Sequence, residues 1–256
     1  MNAIGIVDSG LGGYTVYESL RQAYPDASFV FLADQKHAPY GNKSPEEIIA
    51  ISYQNMMWFY DQGIREVILA CNTASSVALE FIRPIFSEMQ IHGIIDLTVE
   101  HIDLKKDDKV LILATQATIN SGSYPDSIGF IEPDVKVDGI AMVDLVKHVE
   151  SLSDEATVTA YLKKEFAKKP GNYSKVVLAC THYPIVKDLI AKELKGELYD
   201  SRQAIVDLLK DRDLPQGESR CYTTGNPDHA KLQVKTLFSH DQAFLKAVTE
   251  GMSSWK

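Results

Sequence analysis

Along this chain the apolar residues fall in short unbroken runs at positions 3–7, 28–32, 66–70, 109–114 and 175–179. Runs of about five apolar residues, without an alternating polar face, fit strands buried on both sides of a parallel sheet. Longer mixed stretches predict helices at 44–62, 73–87, 183–194 and 201–210. The first has a start signal: Ser44 as N-cap, Pro45 at the first helical position and Glu47 to complete a capping box. Strands alternating with helices predict an α/β fold. Residues 66–74, EVILACNTA, echo residues 175–183, KVVLACTHY: an apolar strand, Ala-Cys, then a polar residue opening a helix. The strands from Ala3 and Lys109 likewise end in Asp8-Ser9-Gly10 and Thr115. The pattern predicts two similar α/β lobes with mainly parallel sheets, facing each other across a cleft at the carboxyl ends of their strands.

Composition narrows the classes of function. The 256 residues are enough for a substantial core, and 45% hydrophobic with 24% charged residues is ordinary for a globular protein. A formal net charge of -9 disfavours non-specific contact with nucleic acid or an anionic membrane, but leaves room for a locally positive site. No apolar run approaches the roughly 20 residues that span a bilayer. The opening MNAIGIVDSG has no basic segment ahead of its first strand, so no secretory signal is expected and the location is cytoplasmic. Cys71, Cys180 and Cys221 are the only cysteines, an odd low count that predicts free thiols in a reducing compartment. The pairs Lys163-Lys164 and Lys168-Lys169 read as a solvated helix face.

Two of the thiols stand where chemistry is plausible. A cysteine at a strand-to-helix turn lies near the positive end of a helix dipole, which predicts a thiol pKa lowered from about 8.5 toward neutrality. Asn72 and Thr73 beside Cys71, and Thr181 and His182 beside Cys180, offer hydrogen bonds. Inverting a chiral centre by proton transfer needs a base on one face and an acid on the other, and paired thiols suit both roles. Nothing suggests a pyridoxal phosphate site, so no cofactor is expected and the carbanion would rely on preorganised dipoles. The Asp8-Ser9-Gly10-Leu11-Gly12-Gly13 turn is neither a Walker A loop nor a dinucleotide fingerprint. Its Asp8 could orient an ammonium group or polarise a thiol. The 38–45 loop caps the next helix, and N–H groups near Gly41 could hold a carboxylate. Thr118, in the hydroxyl-rich turn at 114–124, could do the same. Cys180 and His182 stand at i and i+2, with no four-ligand zinc spacing, so no metal is expected.

Taken together, DSGLGG at 8–13, PYGNKSPE at 39–46, ACNTAS at 70–75, ATQATINSGSY at 114–124 and ACTHYP at 179–184 resemble, in order and spacing, the signatures of the glutamate racemase family. Asp200-Ser201 and Tyr222-Thr223-Thr224-Gly225 look like its later landmarks. The resemblance implies two α/β lobes, here 1–95 plus 208–256 and 96–207, with the active site between them, often in a homodimer. It implies cofactor-independent interconversion of L- and D-glutamate, the D enantiomer feeding peptidoglycan synthesis. Cys71 would deprotonate the D enantiomer and Cys180 the L enantiomer, with Asp8 and His182 as helpers. Ser9, Pro39, Tyr40, Gly41, Asn72, Thr73, Thr118 and Thr181 match substrate-binding positions. The chain departs from the family at Ile95-Asp96-Leu97, where many members carry Val-Glu-Pro. It departs again at 141–150, where a cysteine and a proline are missing while Glu150, an auxiliary catalytic position, remains. Cys221 matches no catalytic motif and reads as structural. Alternatives are a racemase for aspartate or another amino acid, a non-catalytic regulatory homologue, and a thiol–metal site.

Overall fold

The computed structural model describes residues 1–250; the expected first lobe continues to 256, and its residues 251–256 lie outside that range. The chain starts with β1 (Ile4–Asp8), α1 (Tyr14–Ala23), β2 (Phe29–Ala33), a 3-10 turn at Tyr40–Asn42, α2 (Pro45–Asp61) and β3 (Glu66–Leu69). The Ser44–Glu47 capping box forms as the sequence predicts. The helix expected at 73–87 is two, α3 (Asn72–Val77) and α4 (Leu79–Ile85), parted at Ala78; Pro84, which has no N–H to donate, sits near the end of the second. β4 (Gln90–Gly93) and α5 (Ile94–Glu100) complete this part.

The second lobe runs β5 (Lys109–Ala114), α6 (Gln116–Ser121), α7 (Ser123–Ile131), β6 (Lys136–Ala141), α8 (Leu145–Glu150), α9 (Glu155–Phe166) and β7 (Lys175–Ala179). The helix expected at 183–194 opens as a 3-10 turn, Tyr183–Val186, holding Pro184, and becomes α10 only at Lys187–Glu193. After β8 (Glu197–Tyr199) the chain returns to the first lobe with α11 (Ser201–Leu208), β9 (Arg220–Thr223), α12 (Pro227–Phe238) and β10 (Phe244–Lys246).

Two parallel sheets result, a six-stranded one in the order β10-β9-β2-β1-β3-β4 and a four-stranded one in the order β6-β5-β7-β8. Alternation along each strand divides its side chains between two faces. In the first sheet Ile4, Ile6, Phe29, Phe31 and Ile68 pack under α1 and α12, while Val7, Val30, Leu32, Val67 and Leu69 pack under α2 and α4. In the second, Leu111, Leu113, Val176 and Leu178 meet α8 to α10, and Val110, Ile112, Ala114 and Val177 meet α5 and α7. Apolar faces on both sides explain the unbroken runs in the sequence. The chain crosses between lobes within α5, where Ile94 joins the first core and Ile95 the second. It crosses back ahead of α11, which packs on α5 and α1 and gives Ile205 to the first core. Among the described residues, no helix is long and apolar enough to cross a membrane.

Candidate active site

The parallel strands deliver their carboxyl ends to one place. β1 ends at Asp8, β3 leads into Cys71, β5 into Thr115 and β7 into Cys180. Between them lies a cavity of about 30 Å³, room for about one water molecule. Ser9, Pro39, Tyr40, Gly41, Cys71, Asn72 and Thr73 line it from the first lobe, and Glu150, Cys180, Thr181 and His182 from the second. Asp8 and Thr118 do not line it, but each bonds to a residue that does. Pro39, Gly41, Thr115, Val146 and Glu150 also border a larger outer cavity of about 840 Å³ between α8 and α12.

Cys71 is the N-cap of α3; its Sγ accepts from the Ala74 N–H at 3.5 Å and lies 3.5 Å from Ser9 Oγ. The lowered pKa expected from the helix dipole is not what the surroundings produce. Burial, reinforced by the Asp8 carboxylate, pushes the thiol up to about 12 against the smaller pull of Ser9 and the Ala74 N–H. A six-residue helix offers little field to offset the loss of solvent around a thiolate. Cys180 is not in the same setting either: it precedes the 3-10 turn, and its Sγ lies 3.9 Å from His182 Nδ1. The far nitrogen of that ring, Nε2, is 2.9 Å from Glu150 Oε1. Burial pulls the His182 pKa down, but the bonds and charges of Cys180 and Glu150 outweigh it and hold it at about 10. Burial likewise raises Glu150, yet His182, with a weaker contribution from His229, holds it below the usual carboxylate range.

Asp8 works as a strap. Its Oδ2 accepts the Gly10 and Gly13 N–H groups at 3.0 and 3.1 Å, and its Oδ1 accepts the Thr181 hydroxyl of the other lobe at 3.1 Å. Burial nevertheless raises its pKa. Gly12 is dictated by contact, since a Cβ there would stand 2.3 Å from His182 Nδ1. Gly41 is another, because its Cβ would meet Thr115 Cβ at 2.8 Å across the lobes.

The hydroxyls form a cross-lobe cluster: Thr73 Oγ1 is 2.9 Å from Thr115 Oγ1, which is 3.1 Å from Thr118 Oγ1. Tyr124, unmarked in the sequence reading, donates from its hydroxyl to Asn72 Oδ1 at 2.6 Å. That fixes the Asn72 amide, whose buried Nδ2 has no protein partner among the described residues and is a free donor for a carboxylate at the cavity. Tyr40 is placed differently from a residue that hydrogen-bonds substrate through its phenol. Its hydroxyl donates to the Asp34 carboxylate and accepts from Asn55 Nδ2 at 3.0 Å. Asp34 is fully buried and also accepts from Thr224 at 2.6 Å and meets His37 Nδ1 at 2.8 Å. It anchors the 38–41 loop, and its place just after β2, as Asp8 ends β1, was the signal available for it. Cys221 is buried in β9 within the first core, away from the cavity. Among the described residues, no group of three or more His, Cys, Asp or Glu side chains is placed to hold a metal ion.

The fold and site define a two-lobed, parallel-sheet α/β protein with two buried thiols enclosed between the lobes, each beside an ionisable residue. The chain belongs to the Asp/Glu/hydantoin racemase family, whose model matches residues 4–209. A glutamate racemase of Lactobacillus helveticus is 34% identical over 238 residues, covering 88% of this chain and 89% of that one. The crystal structure of a glutamate racemase from Bacillus anthracis superposes with a TM-score of 0.90 at 25% identity, covering 96% of this chain and 97% of that one. One from Francisella tularensis in complex with D-glutamate gives 0.88 at 26% identity, covering 97% and 98%.

Proposed function

We propose that this protein is a cofactor-independent glutamate racemase that moves the α-proton with Cys71 and Cys180 from opposite faces of the substrate. The observation that carries the reading is that the two thiols line one enclosed cavity from opposite lobes. In the L-to-D direction Cys180 takes the α-proton and the protonated Cys71 returns one to the other face. His182 stabilises the Cys180 thiolate, and Asp8 holds the glycine turn beside Cys71. Asn72 Nδ2, the Thr73 and Thr118 hydroxyls and N–H groups near Gly41 are the donors for the carboxylates; Ser9, Pro39, Tyr40 and Thr181 shape the walls. The lobes divide within α5, between Ile94 and Ile95, and again ahead of α11, and they part to admit substrate. We place the enzyme in the cytoplasm, as a homodimer, with its D-glutamate going to peptidoglycan synthesis.

The test is incubation with L-glutamate in deuterated water without added cofactor. Loss of optical activity should accompany uptake of one α-deuterium, and D-glutamate should behave alike. No exchange with either enantiomer overturns the reading; exchange with aspartate at an equal or greater rate moves the substrate assignment.

A further inference from the structure

Resting on the racemase reading, the proton balance of the cycle poses a question that the site geometry addresses. Each L-to-D turnover leaves a proton on Cys180 and a thiolate at Cys71, the reverse of the starting state. Before the next L-glutamate can react, one proton must leave Cys180 and one must reach Cys71.

The two thiols differ in their connection to solvent. The hydrogen-bond partners of Cys71 Sγ are the Ser9 hydroxyl and the Ala74 N–H. Asp8 is fully buried, with its two oxygens held by Gly10, Gly13 and Thr181. Among the described residues, the hydrogen bonds of Ser9 and Asp8 lead to no exposed titratable side chain. Around Cys180 there is a line of groups that carry protons: Sγ to His182 Nδ1 at 3.9 Å, then Nε2 to Glu150 Oε1 at 2.9 Å. His182 is almost wholly buried, whereas the Glu150 side chain is 30% exposed. Glu150 is also the one ionisable residue bordering both the inner cavity and the 840 Å³ outer cavity, where Lys147 and His229 are its charged or titratable neighbours together with Asp144. Gly10 packs against its inner side, where a Cβ would stand 3.2 Å from Oε1.

We propose that His182 and Glu150 form the route by which the proton taken up at Cys180 leaves for solvent between turnovers, with Glu150 as its exit into the outer cavity. With Cys180 protonated, the His182 imidazolium gives its Nε2 proton to Glu150 Oε1 and Glu150 releases it to water in the outer cavity; the two protons left on the Cys180–His182 pair are those of its starting form, thiolate beside imidazolium. Cys71 takes one proton from water entering as the lobes part, so the net charge is unchanged over the reset. In the D-to-L direction the same line runs inward and recharges Cys180.

Glu150→Gln tests this, because it keeps an acceptor for His182 Nε2 but cannot carry the proton. A slow reset lowers kcat without acting on kcat/KM, which does not include the return of free enzyme to its starting form. The expected result is a fall in kcat of about tenfold or more, exceeding any fall in kcat/KM. Product inhibition should change from competitive to noncompetitive, since D-glutamate would then bind an accumulating form that L-glutamate does not. Imidazole buffer, small enough for the outer cavity, should restore kcat with rising concentration and leave kcat/KM unmoved; Glu150→Asp should restore kcat in part without buffer. Equal falls in kcat and kcat/KM with competitive product inhibition would overturn the proposal and make Glu150 a tuner of His182 in the chemical step. An unchanged kcat would overturn it in favour of direct transfer between the thiols through the inner cavity. An unmodified protein that exchanges no α-deuterium would instead count against the racemase reading.

Discussion

Cys71 and Cys180 end corresponding strands, yet their surroundings press in different directions. Burial and Asp8 push Cys71 up to about 12, so its thiol is protonated at neutral pH. Beside Cys180, His182 is held at about 10 and is protonated over the same range. On the two-thiol mechanism proposed above, an acid at Cys71 and an imidazolium beside Cys180 form the state that accepts L-glutamate. Racemisation of one centre has an equilibrium constant of one, so kcat/KM must be equal in the two directions for every variant. Directional asymmetry can show only in kcat and KM taken separately or in isotope effects. Cys71→Ser and Cys180→Ser should each lower kcat/KM by about a thousandfold or more, equally for both enantiomers, because a serine hydroxyl is a far weaker acid than a thiol and does not ionise to serve as the base. Cys221→Ser should stay within about twofold in rate, since Cys221 contributes core packing; a loss matching that of Cys71→Ser, in folded protein, would sink the two-thiol assignment. The His182 shift also fixes a pH limb. A raised pKa means that the charged form is present below about 10 and lost above it. The kcat/KM profile should thus fall in both directions as pH rises through about 10. His182→Asn should lower the neutral plateau by about 10- to 100-fold and remove that limb. An unaltered profile in the variant would show that the imidazolium is not what supports Cys180.

At the scale of elements, legibility followed burial. β5 and β7 fill the ranges the sequence predicts, because both faces are covered and the run is apolar after the opening lysine. β4, β6, β8 and β10 lie at sheet edges, and β6 reads Lys-Val-Asp-Gly-Ile-Ala, too polar and glycine-broken to form such a run. β9 is internal but opens at Arg220 and is found only through its pairing with β2. The site followed the same logic. Strand-end cysteines and glycine turns are visible in order along the chain, whereas the Asp34–Tyr40–Thr224 contact joins segments about 190 residues apart and becomes visible only when β9 lies beside β2. Glu66 shows how such distant contacts secure an element. It opens β3, and its carboxylate meets His92 Nε2 of β4 at 2.9 Å and accepts from Arg212 at 2.8 Å. Burial would raise its pKa, but those two partners bring it down from 4.5 to about 2. A depressed carboxylate contributes stability that is present above its ordinary value and lost as pH falls from 4.5 toward 2. Glu66→Gln should therefore cost about 1–3 kcal/mol at pH 7 and flatten the acid limb of a stability–pH curve. Chemical denaturation at pH 7 and pH 3 measures both, and an equal difference between the two proteins at each pH would contradict the linkage.

For the whole molecule, the question is what holds the lobes together when the inner cavity has room for only about one water. The fully buried members of each apolar cluster come from one lobe with its flanking helices, so no continuous core spans the gap. The cleft is instead closed by polar contacts: Thr181 to Asp8, Thr15 to the Thr181 carbonyl, Thr73 to Thr115, Ser123 to the Ser76 carbonyl, and Tyr124 to Asn72. Each such bond is worth about 0.5–1.5 kcal/mol net, against water as the competing partner. A seam of that kind can open without unfolding either lobe, and glutamate held as proposed above, with its carboxylates bonded from both sides, would add to its closure. Tyr124→Phe removes the shortest of these bonds without changing the ring that packs in the second core. The loss of about 1 kcal/mol should shift the closed-to-open ratio about fivefold toward open. Amide exchange in segments 9–13 and 38–42 should then speed up by a similar factor in the free variant, and saturating D-glutamate should restore protection. KM should rise while kcat changes little, because closure is recovered once substrate is bound. Exchange unchanged in both the free and the glutamate-bound variant would mean that the lobes are held by something other than this polar seam, and that substrate enters a site already open.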